Sequence, residues 1–374
     1  MVNKMKIKQV EVFGLEIDLK VPFIISYDRY DVMPTILTRI ETESGIVGWG
    51  EAVPDQHVTG ETWDSTIEII HHELASLVIG ESPFNINLIH KKMNEKIKDV
   101  PGAKAAIDLA LYDLMGKISK QPVYRLIGGK SHRKLDIPQV ISILSPKEMA
   151  KEAKEYVDQG FKHIKIKVGT DPDTDIKRIR MVREVLPNDV RLRVDANQGW
   201  TVNEAIYVIR QTQDCQVDWY EQPTKAGDHE ALAEVRKATN VNIMADESVH
   251  QMSDLIDIMR VRGADYINIK LMKTGGIYPA LQLANLAESY RVPCQVGSMV
   301  ETAIGTMAGA HLSISQHIIH SNEMVGPLMF KEDVAKTDYQ DGTLVVQDRP
   351  GFGIDVDEEM VRAKAIKYHK ITKS

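Results

Sequence analysis

The residues best suited to chemistry sit at the ends of short β-rich runs. Lys165 and Lys167 lie in His163–Val168. Asp195 ends the run Arg191–Ala196, with Asn197 just past it, and Glu221 ends Val217–Gln222. Asp246 and Glu247 end Asn242–Glu247, and Lys270 ends Tyr266–Leu271. Singly, each has an ordinary explanation: Lys-Ile-Lys is an amphipathic strand with its lysines in water, and an Asp at a strand end is the N-cap of the next helix. Jointly these explanations fail, because three successive runs end in an acid and are flanked by runs carrying lysines. Three carboxylates converging on one point repel one another, and a hard divalent cation resolves the repulsion. All-oxygen ligation suits Mg²⁺ or Mn²⁺ rather than zinc, and no His-x-x-x-His or cysteine cluster offers a zinc alternative. Asp195, Glu221 and Asp246 are therefore the expected metal ligands.

The lysines suggest the reaction. Lys165 and Lys167 are two residues apart on a strand, about 6.5–7 Å between Cα atoms. At an effective dielectric near 20 their charges repel by roughly 2 kcal/mol, which would lower a lysine pKa by about 1–2. A nearby cation would lower it further, and a lysine poised near neutrality serves as a general base. A carboxylate substrate held on the metal between two lysines is set up for loss of its α-proton, with the metal stabilising the enediolate. A lysine on the opposite face could return a proton and invert the carbon.

Eight runs must position these groups: Ile137–Leu144, His163–Val168, Arg191–Ala196, Val217–Gln222, Asn242–Glu247, Tyr266–Leu271, Pro293–Ser298 and His320–Val325. A helical segment follows each of the first seven, which predicts a parallel sheet with right-handed crossovers. Eight such units predict a (β/α)₈ barrel with a modified last helix, whose active site lies at the C-terminal strand ends. No Gly-x-Gly-x-x-Gly follows the first strand, which weakens the alternative of an open dinucleotide-binding sheet. Period-two alternation puts Ile164, Ile166 and Val168 on the helix side and turns Lys165 and Lys167 inward, where they need acids opposite. Before the barrel, Ile7–Leu19 and the run from Thr35 read as strands separated by a loop, Val21–Pro34. A second loop runs from Glu51 to Thr62. The segment 103–117 reads as a helix, with apolar residues at i, i+3, i+4 and i+7. The expected organisation is an α+β unit over 1–130, the barrel over 131–328, and a tail of strands and turns over 329–374 that packs back on the first unit.

Composition excludes other classes. The chain has 374 residues, 43% of them apolar, and a net charge of −7. It carries no basic stripe for nucleic acid, no 18-residue apolar run for a membrane and no apolar segment after Met1 that would make a signal peptide. Cys215 and Cys294 form no CxxC and read as reduced thiols, so the expected location is cytoplasmic.

Lys165-Ile-Lys167, Asp195-Ala-Asn197, Glu221-Gln-Pro223, Asp246-Glu-Ser248, Asn268-Ile-Lys270 and Gly297-Ser-Met-Val-Glu-Thr302 together resemble the enolase superfamily, muconate lactonizing enzyme subgroup, over nearly the whole chain. The resemblance implies a modified (β/α)₇β barrel under an α+β capping domain completed by the tail. It implies Lys167 and Lys270 as the acid/base pair, with Lys165 assisting at the substrate carboxylate. Asn197 would orient ligands near the metal and Glu247 would pair with Lys270. It also implies a small carboxylate substrate and a homo-oligomer. Specificity would come from the two capping loops, with Tyr27 and His57, and from strand ends seven and eight, with Ser298 and Met299. Within the subgroup the chain is similar to N-succinylamino acid racemases, in particular those acting on arginine and lysine derivatives. Asp28, Asp31, Glu51 and Asp55 are the candidate partners of a cationic side chain, and Arg29 or His57 of a succinyl carboxylate. Muconate cycloisomerases and o-succinylbenzoate synthases use the same lysine pair. Dipeptide epimerases carry Asp-x-Asp before Gly-Pro at strand eight; here Glu323 and Val325 stand at those positions. Two further classes remain: a non-catalytic carboxylate or metal sensor, and a Schiff-base enzyme using Lys167 or Lys270.

Overall fold

The computed structural model describes residues 5–372. Residues 1–4, on which the signal-peptide reading partly rests, and 373–374 lie outside the described residues. One eight-stranded parallel sheet holds Gln139–Ile141, His163–Lys167, Arg191–Asp195, Val217–Glu221, Ile243–Ala245, Tyr266–Ile269, Cys294–Val296 and Ile319–Asn322, each beside its neighbour in chain order. All eight expected strands are present, each shorter than its run. The sheet curls until its last strand meets the segment before its first, where Asn322 Nδ2 donates to the Asp136 carbonyl at 3.2 Å. Helices follow the first seven strands, from Pro146–Asp158 to Ala303–Ser315. The alternation of faces is as expected: Ile164, Ile166 and Val168 are buried under helices, and Lys165 and Lys167 are buried inside.

The turn from strand to helix decides a question left by the sequence. The helices after the second, third and fourth strands are capped by Asp171, Thr201 and Asp228, whose side chains accept from the N–H of Thr174, Glu204 and Ala231. The helix after the fifth strand has Gln251 at its cap. Asp195, Glu221 and Asp246 therefore cap nothing, and their carboxylates are free for another role.

A second sheet closes over the mouth. Ile7–Ile24, Arg29–Thr42 and Val47–Ala52 run antiparallel, and the terminal strand Lys367–Thr372 pairs with the first of them, His369 opposite Val12. Besides strands, the tail contains the helix Glu358–Lys364. The segment Val21–Pro34 is largely not a loop. Its strands continue to Ile24 and resume at Arg29, with Phe23 opposite Tyr30, after a register shift between Asp18 and Phe23. Phe23, Ile24 and Tyr30 favour pairing over a turn, and the hairpin arm carries them to the barrel mouth. The expected helix over 103–117 is present as Pro101–Ser119, and Gly102 to Gly116 are all buried. It lies between the capping sheet and the barrel helices. A Cβ at Gly50 would stand 2.0 Å from the Ala106 carbonyl oxygen, so only glycine lets strand and helix approach this closely.

Candidate active site

The ends of strands two, three, six and eight line one cavity, and the buried acids Asp195, Glu221 and Asp246 at the ends of strands three, four and five stand against its lysines. Lys165 Nζ lies 2.8 Å from Asp195 Oδ2, 2.9 Å from Glu221 Oε2 and 2.5 Å from Glu323 Oε1. Lys167 Nζ lies 2.8 Å from Asp195 Oδ2, and Lys270 Nζ 2.7 Å from Asp246 Oδ2. Strands two and six are half a turn apart in an eight-stranded barrel, so Lys167 and Lys270 approach the cavity from opposite walls. Both line it, with Lys165, Asn197, Ser298, Met299 and Glu323. Asn197 Nδ2 donates to Glu247 Oε1 at 3.1 Å, and the Ser26 hydroxyl donates to the Asn197 carbonyl at 2.7 Å, tying the hairpin arm to the third strand end. The expected Glu247–Lys270 ion pair is replaced by the Asn197 contact; Lys270 turns to Asp246.

Two partners in this network were not singled out from the sequence. Lys273 is wholly buried, 2.5 Å from Asp246 Oδ1, and also donates to the carbonyls of Asp246 and Asn268. It lies on the turn Leu271–Thr274 after strand six, which strand periodicity does not cover. Glu323 was noted only as a candidate for the first acid of Asp-x-Asp. Here it closes the ion-pair group from strand eight.

The expected lowering does not occur at Lys165. Burial alone would lower Lys165, but Asp195, Glu221 and Glu323 outweigh it and hold the ammonium well above its ordinary value. Burial likewise opposes Lys270, and Asp246, Glu247 and Glu221 outweigh it upward. Carboxylate oxygens stand within 2.9 Å of each of these ammonium groups, so attraction dominates.

The acids fit a hard cation. Asp195, Glu221 and Asp246 are all buried, and each offers an oxygen within 4.8 Å of the others. Asn197 Oδ1 and Glu247 Oε2, also buried, have no hydrogen-bond partner. A set of oxygens only, with acceptors to spare, suits Mg²⁺ or Mn²⁺.

The capping residues separate into two groups. Phe23, Tyr27, Tyr30, Asp55 and Val58 line the cavity, and the Phe23 ring lies 5.8 Å from Lys167 Nζ. His57 does not line it. It is exposed on the rim with its ring 4.9 Å from that of Tyr27. Arg29 is exposed and paired with Asp31 at 3.1 Å. Glu51 belongs to a strand and is buried, accepting from the N–H groups of Thr302 and Gly305 and the Thr302 hydroxyl, so it is closed to substrate. Glu51→Ala would leave those donors buried and unpaired. It should cost about 3 kcal/mol or more in equilibrium denaturant unfolding, with no change in the cavity lining.

Comparison with known proteins agrees with this geometry. Residues 7–128 match the mandelate racemase / muconate lactonizing enzyme N-terminal domain, and residues 148–360 match the enolase C-terminal domain-like model. The chain is 43% identical to the N-succinyl-L-Arg/Lys racemase of Bacillus cereus over 96% of this chain and 97% of that protein. It is 38% identical to the L-Ala-D/L-Glu epimerase of Bacillus subtilis, over 94% of this chain and 97% of that protein. The crystal structure of the Bacillus cereus racemase superimposes with a TM-score of 0.97 at 42% identity, covering 98% of this chain and all of that one. A dipeptide epimerase from Enterococcus faecalis, complexed with Mg and L-Leu-L-Tyr, superimposes with a TM-score of 0.90 at 38% identity, over 94% of this chain and 99% of that one. Among the described residues no helix is long and apolar enough to cross a membrane. With its barrel, its cap and its strand-end acids and lysines, the chain belongs to the mandelate racemase / muconate lactonizing enzyme family of the enolase superfamily and is an isomerase of the racemase and epimerase kind.

Proposed function

We propose that this enzyme racemises N-succinyl amino acids, with arginine and lysine derivatives as its preferred substrates. The observation that carries the reading is the placement of Lys167 and Lys270 on opposite walls of one cavity, beside three buried carboxylates. One lysine takes the α-proton from one face of the substrate. The other delivers a proton to the opposite face, and the configuration inverts. Lys165, held between Asp195, Glu221 and Glu323, offers its charge to the substrate carboxylate. Asp195, Glu221 and Asp246 would hold Mg²⁺, which when bound supplies positive charge where negative charge develops on that carboxylate. Phe23, Tyr27 and Tyr30 cover the cavity and exclude water from it.

Two observations favour this substrate class. Of the four candidate acids in the cap, Asp55 alone lines the cavity, fixed by the Tyr30 hydroxyl at 3.0 Å. At strand eight, Glu323 is engaged by Lys165 and Val325 is apolar, so the second acid that would grip a dipeptide ammonium is missing. The test is α-proton exchange by NMR in D₂O with Mg²⁺, using both enantiomers of N-succinyl arginine, lysine and neutral amino acids, and a dipeptide panel. Exchange with loss of optical rotation on the N-succinyl substrates supports the reading; turnover of dipeptides alone defeats it. Asp55→Asn should lower kcat/KM for the arginine and lysine derivatives by about 10–100-fold, the worth of one charged hydrogen bond, and leave neutral side chains within a few-fold.

A further inference from the structure

Strand seven, Cys294–Val296, leads through a tight turn, residues 297–302, into the helix Ala303–Ser315. Ser298, Met299 and Val300 of this turn line the cavity with Lys167 and Lys270; Glu301 does not. Glu301 is buried and folds its carboxylate back into the turn. Its Oε2 accepts from the Ser298 hydroxyl at 2.5 Å, and its Oε1 from the N–H of Met299 at 2.9 Å. The Ser298 oxygen accepts in turn from the N–H of Val300 at 2.9 Å. The one proton of that hydroxyl is committed to Glu301, so Ser298 contributes to the cavity by shape rather than by donating to substrate.

Val300 is the strained member of the turn. Its φ of +67° lies in the left-handed region, where a β-branched side chain is an outlier. Such a conformation costs free energy and persists only where its surroundings over-determine the backbone. Here the surroundings are the Glu301 carboxylate and the Ser298 hydroxyl, which between them fix the N–H groups of Met299 and Val300. The far side of the turn is fixed from the cap, where Glu51 accepts from the N–H of Thr302 at 2.8 Å. Gly305 leaves the space that Glu301 fills: a Cβ there would stand 2.7 Å from the Glu301 Cβ. Burial alone penalises the charge of Glu301, and the donors of the turn oppose that penalty.

We infer that Glu301 is a positioning residue for the reaction: acting through the Ser298 hydroxyl and the Met299 N–H, its carboxylate holds Val300 in the left-handed conformation and so sets the cavity wall against which substrate packs. The inference rests on this cavity being the substrate site, as in the reading above, and not on the acyl group or side chain of the substrate.

The test measures kcat, KM and Mg²⁺ affinity of the full chain. The substrate is whichever N-succinyl amino acid or dipeptide the parent exchanges, so turnover of dipeptides alone defeats the substrate reading without touching this one. Glu301→Gln keeps one acceptor oxygen and turns an NH₂ on the other donor. It should raise KM by about tenfold or more, and leave kcat and Mg²⁺ affinity within about threefold. In a Val300→Gly background, where the left-handed backbone carries no side-chain strain, the same substitution should raise KM by less than about threefold over Val300→Gly alone. A crystal structure of Glu301→Gln should show Val300 leaving the left-handed region, a readout that needs no substrate. Ser298→Ala removes one donor to the carboxylate and the acceptor of the Val300 N–H, and should show the same pattern; it carries the test if Glu301→Gln does not fold. Equal losses in the two backgrounds, a loss confined to kcat, Mg²⁺ binding weakened in parallel, or an unmoved Val300 overturns the assignment.

Discussion

In D₂O, Lys167→Ala should exchange the α-proton of one enantiomer only, Lys270→Ala that of the other, and neither should racemise. The expectation follows from the two-wall geometry. Each remaining lysine sees one face of the substrate. It can remove a proton from that face and, once its own protons have exchanged with solvent, return a deuteron to the same face with configuration retained. Loss of the general acid/base on the other face costs about 10²–10⁴-fold in racemisation, or about 3–5.5 kcal/mol of barrier. Chiral chromatography and NMR of the same reaction separate the two processes. If both variants lose exchange on both enantiomers while still folding and binding metal, the lysines act as one unit and the two-face mechanism is wrong. If either variant racemises normally, its lysine is not a base. Phe23 packs over Lys167, so Phe23→Ala is the control for water entering on that side.

The strand-end groups were legible because a barrel strand has a period of two and its ends face one site. Lys165, Lys167, Asp195, Glu221, Asp246 and Lys270 follow that rule, and the structure gathers all six. What was not legible depends on partners far apart in the chain. Lys273 lies four residues past the end of its strand and folds back on Asp246 through a short helical turn. Glu323 meets Lys165 only because the sheet closes. The hairpin arm Phe23–Tyr30 looked like a loop because its polar tip interrupts the alternation, yet cross-strand pairing holds it. Glu51 looked like a loop acid, and its burial follows from two backbone donors 251 and 254 residues away. Local pattern reads faces and ends; it does not read which distant end meets which.

Two members of the acidic triad should respond in opposite ways when metal is removed. Asp246 sits between Lys270 and Lys273. Burial alone would raise it, but the two ammonium groups outweigh that and hold it well below the usual carboxylate range. A carboxylate favoured in the fold contributes stability at every pH above its unfolded value, and loses it only as pH falls through the lowered one. In EDTA at neutral pH, Asp246→Asn should therefore cost about 3–5 kcal/mol, because it leaves two buried ammonium groups short of a partner. Glu221 is the reverse. Burial first, and then the charge of Asp195, push it well above its ordinary value despite Lys165. Its charge is penalised in the fold, and stability falls as pH rises through the interval above its unfolded value. Glu221→Gln removes that charge. The new amide can keep its oxygen on Lys165, and its NH₂ finds an acceptor when Asn268, whose Nδ2 now donates to Glu221 Oε1 at 2.9 Å, flips its own amide to present the unpartnered Oδ1. In EDTA at neutral pH its stability should equal or exceed that of the parent. Mg²⁺ changes the comparison: at 100 times its dissociation constant it should stabilise the parent by about 2.7 kcal/mol and do little for either variant. Thermal and urea unfolding of the three proteins, with and without Mg²⁺, reads both signs. Equal losses in EDTA would mean that the triad is a structural ion-pair cluster. A stabilised Glu221→Gln that no longer responds to Mg²⁺ would mean that this carboxylate is kept, against the interest of the fold, for the ion it binds.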